Sequence, residues 1–155
     1  MDKQMMKNLK QAISSVLETM FFLPVQITAE NSPRHNGWLQ QQKTWHVALR
    51  FGGPLNGSFF LLVPAGLAQE ITANFLGLDE TDVDPSQETD TVKEALNMIG
   101  GYVLSQAKDA DEYQIGIPEI VNADQADLAK MRLESQNTII IETEEDHLAI
   151  GLDLD

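Results

Sequence analysis

Twice along this chain, a long stretch with helical apolar spacing is followed by an irregular extended piece and then by two strand-like runs. That repeated order constrains the fold more than any single motif. In the first half, Met6, Leu9, Ile13, Val16, Leu17 and Met20 recur at steps of three and four, predicting a helix from about Lys3 to Phe22. Pro24 should stop it. "VQITAE" then reads as a short strand and "NSPRHNGWLQQQ" as a loop. "TWHVALRF" alternates, with Trp45, Val47, Leu49 and Phe51 on one face and His46, Ala48 and Arg50 on the other. A half-buried strand with a solvated His46 is expected. "GGPLNG" is a turn, and "SFFLLV" is a returning strand whose unbroken apolar run calls for cover on both faces. Pro64 to Gly77 reads as a helix with Leu67, Ile71 and Phe75 inward.

The second half opens within the acidic "DETDVDPSQETD", the one linker-like segment. Asp84 and Pro85 suit an N-cap and a first turn, and the helix they open should run to about Lys108. "AKMRLE" follows, and then "NTIIIET" and "HLAIGLDL" read as hairpin strands joined by "EED". The expected architecture is α+β, one domain over residues 1–155. Two long helices should lie side by side against one sheet, with the two halves related by a pseudo-two-fold axis. The helices share a pattern, Ser14–x3–Glu18–x2–Phe21 beside Asp90–x3–Glu94–x2–Asn97.

Composition narrows the function. A chain of 155 residues buries roughly 68–70% of its unfolded surface, so its core needs no staples. It has no Cys, which excludes disulfides, thiolate catalysis and zinc–thiolate sites. Its formal charge of −14 makes nucleic acid and anionic membranes poor partners. No targeting segment and no run of ~20 apolar residues stands out, so a cytoplasmic protein is expected. His35, His46 and His147 lack metal-ligand spacing, Ser14 and Ser15 have no nearby base, and "ETEEDH" reads as a charged hairpin tip. No metal or cofactor of its own is expected.

The informative stretch is "ETDTVKEALNMIGGYV". On a helical wheel Asp90, Glu94, Asn97 and Gly101 fall on one stripe, opposite Leu96, Ile99 and Val103. The polar stripe should therefore face outward. Gly100 and Gly101 in mid-helix cost about 1 kcal/mol each against Ala. Close packing against another helix, or room for a partner's backbone, would account for them.

These residues resemble the phosphatase helix of the CheC/CheX/FliY family of chemotaxis phosphatases. The family's motif is Asp or Ser, three residues, Glu, two residues, Asn, and a Pro some twenty residues on. It maps here to Asp90, Glu94, Asn97 and Pro118. "VLETMFFLPV" is similar to the family's first helix, and "GPLNGSFFLLVPAGLAQEITANFLG" to its central hairpin and second helix. One complete motif and one degenerate copy resemble CheX more than CheC.

The resemblance implies dephosphorylation of the aspartyl phosphate of a CheY-like response regulator, with Mg2+ supplied by that partner. Asn97 would orient the attacking water, and Glu94 would pair with a lysine of the regulator. Asp90 would tune the helix start or the docking, and Pro118 is expected to be structural, its ring fixing φ and ending whatever precedes it. It also implies a homodimer, for which "NTIIIET" as an exposed edge strand would be suited. The second reading is a non-catalytic module of the same fold that binds a signalling or flagellar protein.

Overall fold

The computed structural model describes residues 3–27, 43–122 and 126–155. The elements follow the expected order. Helix α1 (Lys3–Met20) is followed by strands β1 (Gln26–Ile27), β2 (Thr44–Gly52) and β3 (Gly57–Pro64), and then by α2 (Ala65–Leu76). Helix α3 (Pro85–Ser105) leads into β4 (Gln114–Ile115), β5 (Glu119–Ile120), α4 (Ala126–Glu134), β6 (Thr138–Glu142) and β7 (His147–Leu154). Most of "VQITAE", the whole of "NSPRHNGWLQQQ" and His35 lie outside the described residues.

All pairings are antiparallel and form one sheet, in the order β1-β6-β7-β3-β2-β4, with β5 also on β2. This order reads the same from either end. Exchanging α1 with α3, β1 with β4 and β5, β2 with β6, and β3 with β7 turns each pairing into another that is present. The central β3–β7 pair maps onto itself. The repeat in the sequence is thus a two-fold relation in the topology, and α1 and α3 lie beside each other across the axis.

The three longer helices cover one face of the sheet. Leu9, Ile13, Leu49, Phe59, Leu61, Ile71, Leu96, Ile99 and Ile150 form its core with little or no exposure. The other face carries a smaller cluster of Leu62, Ile140, Ala149 and Leu133, the last from α4. β3 is buried at every residue because both of its faces are covered, as its unbroken apolar run demands.

Three expectations are corrected. α1 ends at Met20 rather than Phe22, because Phe22 takes a left-handed φ of 52° that no continuing helix allows. His46 is not solvated. It is buried on the outer sheet face, with its Nε2 2.6 Å from Arg132 Nη1 of α4, and Arg132 Nε donates to Asp153 Oδ2 at 2.8 Å. "NTIIIET" is not the outermost strand of the sheet, since β1 pairs with its far end, with Gln26 opposite Glu142 and Ile27 opposite Ile141.

Candidate functional site

Helix α3 is fixed at its start by local chemistry. Asp84 Oδ1 accepts from the Gln87 amide at 2.9 Å, and Gln87 Oε1 accepts from the Asp84 amide at 3.0 Å. This reciprocal capping box, with Pro85 next in the chain, satisfies donors that a helix N-terminus otherwise leaves unpaired. One turn on, Trp45 Nε1 of β2 donates to Glu88 Oε1 at 3.3 Å, tying the helix start to the sheet. Lys43 Nζ sits 4.6 Å from the centre of the Trp45 ring. The sequence reading missed this link, because a Trp on an alternating strand is fully explained by burial.

The inward face of α3 is as its spacing predicts: Val92, Leu96, Ile99 and Val103 are fully buried. Gly100 is buried against the sheet. A Cβ there would lie 2.9 Å from Leu49 Cδ2 and 3.0 Å from Phe59 Cδ2, so packing accounts for this glycine. Gly101 is different, since a Cβ there would meet no described residue within 4 Å.

The polar stripe faces outward. Asp90 is exposed, and Glu94, Asn97 and Gly101 are half-buried. No hydrogen bond or ion pair joins the Asp90, Glu94 or Asn97 side chain to another described residue. Capped at one end and packed below, α3 presents these polar groups from a rigid support with their hydrogen-bonding capacity unspent.

Pro118 lies on a short excursion beside β2. The Gly116 amide donates to the Arg50 carbonyl and the Val121 amide to the His46 carbonyl, both at 2.8 Å, pinning the excursion at its two ends. Pro118, half-buried, directly precedes β5, which packs against α3. Its neighbour Ile117 is 82% exposed. The excursion thus leads into the strand that packs against the helix carrying Glu94 and Asn97.

The first helix offers no matching group. Ser14 is half-buried and Glu18 exposed, but Phe21 lies just past the helix end and is fully buried. Its ring stacks on Phe75 with centroids 4.9 Å apart, and its carbonyl accepts from Asn74 Nδ2 at 3.0 Å. Where α3 displays an amide, the chain after α1 turns a ring into the core.

The remaining candidates have structural partners. His147 faces Glu142 across the β6–β7 hairpin at 3.3 Å, and the hairpin tip is closed by bonds between Thr143 and Asp146. Among the described residues, no three His, Asp or Glu side chains gather as a metal site, and no helix is long and apolar enough to cross a membrane.

The family profile described as "Chemotaxis phosphatase CheX" matches residues 46–143, which include the whole of α3 and the Pro118 excursion. The chain belongs to the CheX family. A search of curated proteins gives no significant match. Solved structures share the fold at low identity. CheX of Vibrio vulnificus is 15% identical, with a TM-score of 0.73 over 100% of both chains. CheX of Desulfovibrio desulfuricans is 18% identical, with a TM-score of 0.67 over 97% of this chain and 99% of that one. A CheX from Borrelia burgdorferi, solved as a CheX-CheY-BeF3-Mg2+ complex, is 13% identical, with a TM-score of 0.63 over 96% of each chain. CheX-family membership thus rests on the profile match, and the shared fold on the structures.

Proposed function

We propose that this CheX-family protein hydrolyses the aspartyl phosphate of a CheY-like response regulator. Asn97 and Glu94 of α3 would do the work, and the Mg2+ beside the phosphoryl group would be held by the regulator. The observation that carries the reading is the pair of outward polar side chains, Glu94 and Asn97, without partners on a capped helix. The family's description as a phosphatase and the CheX–CheY complex of Borrelia burgdorferi support the choice of substrate.

An acyl phosphate is already activated, and its phosphoryl group transfers through a loose transition state. The task is therefore positioning. The Asn97 carboxamide oxygen accepts a hydrogen bond from a water held in line with the phosphorus, and its NH2 donates to a phosphoryl oxygen. As the water oxygen bonds to phosphorus, the bond from phosphorus to the aspartyl oxygen breaks. The carboxylate leaves with the electron pair, and the water's proton passes to phosphate or solvent. No strong base is required. Glu94, one turn earlier, pairs with a lysine of the regulator and sets the helix register.

A phosphate-release time course on phosphorylated regulators with Mg2+ tests this. Asn97→Ala should lower the catalysed rate by about 10²-fold, the scale of a lost positioning group, with little change in regulator binding. Glu94→Ala should weaken both, by about 2–5 kcal/mol in binding if the pair is desolvated in the complex. A wild-type rate in Asn97→Ala would refute the mechanism. A wild-type protein that binds regulators yet accelerates none would instead be an interaction module.

A further inference from the structure

Two adjacent glycines in α3 have opposite surroundings. Gly100 sits on Leu49 and Phe59 with no room for a methyl group, whereas no described residue comes within 4 Å of a Cβ at Gly101. Its φ lies outside the left-handed region, so alanine would fit its backbone as well as its surroundings. Nothing within the described chain uses the absence of a side chain at 101, and a helix interior is weaker for it.

Gly101 is also on the polar stripe. At 1.5 Å per residue, it stands about 6 Å along the helix from Asn97, on the side away from Glu94, which stands about 4.5 Å from Asn97 in the other direction. Asn97 therefore lies between a charged group and a bare stretch of backbone. A missing Cβ is what close approach of a second main chain requires.

We propose that Gly101 is a seating point for the main chain of the phosphorylated receiver protein, and that this contact sets the distance from Asn97 to the phosphoryl group. The inference rests on the phosphatase reading above. Glu94 grips the partner by charge, and Gly101 sets how near it can come. A methyl group at 101 would hold the partner off the helix and displace the reacting atoms from the Asn97 amide.

The test compares Gly101→Ala with wild type and with Gly100→Ala. It uses thermal unfolding, phosphate release from CheY-type regulators of the same organism, and calorimetric binding of those regulators loaded with beryllofluoride and Mg2+. Gly101→Ala should raise Tm by about 2–4 °C, since it gains helix propensity at no steric cost. It should nonetheless lower kcat/KM by about 10–10²-fold and weaken binding. Gly100→Ala should lower Tm. If wild type dephosphorylates a regulator and Gly101→Ala matches it in rate and affinity, the seating role is wrong while the phosphatase reading survives. A fall in Tm for Gly101→Ala would also overturn it, because the glycine would then serve the chain itself. If wild type binds no regulator, the phosphatase reading and this inference fall together.

Discussion

At the scale of single residues, the polar stripe was legible because a helix converts spacing into direction. Asp90, Glu94 and Asn97 could be assigned to an outer face, and Leu96, Ile99 and Val103 to the core, from the 3.6-residue period alone. His46 was misjudged for a related reason. Alternation tells which face of β2 it occupies, but not that α4, far along the chain, will cover that face. Once covered, His46 is pushed down to about 4, first by burial and then by the Arg132 guanidinium, with Asp153 opposing. The folded pKa is lowered, so the neutral form is the native one and accepts from Arg132. Above the unfolded value of 6.5 the group contributes its full stability. As pH falls from 6.5 towards about 4, the unfolded chain takes up a proton that the native state refuses, and stability is lost. His46→Gln keeps an acceptor for Arg132 but cannot titrate. Its Tm should therefore drop less than that of wild type between about pH 7 and pH 4.5. Equal drops in melting scans would show that His46 does not report this acid sensitivity.

At the scale of elements, α3 was the best predicted part of the chain. Asp84, Pro85 and Gln87 announce its start, and the structure joins Asp84 and Gln87 reciprocally. The ends were less legible. α3 stops at Ser105 rather than near Lys108, and α1 stops at Met20, because termini depend on backbone geometry that apolar spacing does not encode. Asp84→Ala removes the side-chain acceptor for the Gln87 amide and should cost about 1 kcal/mol, near 2–4 °C in Tm. Hydrogen exchange should show the added opening confined to the first turn of α3, and Asn97, over two turns on, should keep its place. Loss of phosphatase activity in proportion to Tm would mean that the whole helix, not just its start, depends on the cap.

At the scale of the whole molecule, the charge of −14 is not evenly compensated. Glu70 of α2 shows it: burial and then the neighbouring Glu80, Glu145, Glu144 and Asp146 push its carboxyl up. A surface of this sign attracts a partner face that carries the lysine expected opposite Glu94. Association with the regulator should therefore slow as salt rises from about 0.01 M to about 1 M and the Debye length shrinks from ~30 Å to ~3 Å. Stopped-flow rates that climb with salt would instead indicate repulsion between the partners, against a docking role for Glu94. The overall order of elements was readable because each half repeats it. The strand exchange between halves was not, because β4 and β5 are two residues long and carry no periodic signal.

That exchange has a consequence for the repeat itself. β1 completes the hairpin of the second half, and β4 and β5 complete the hairpin of the first, so each half is clasped by a strand from the other. Neither half can be removed without stripping an edge from its twin. α1 is therefore retained as a wall for α3 however little chemistry it performs. Phe21, stacked on Phe75, is part of the core that this wall closes. A duplicated fold joined in this way can specialise one copy as tool and the other as handle.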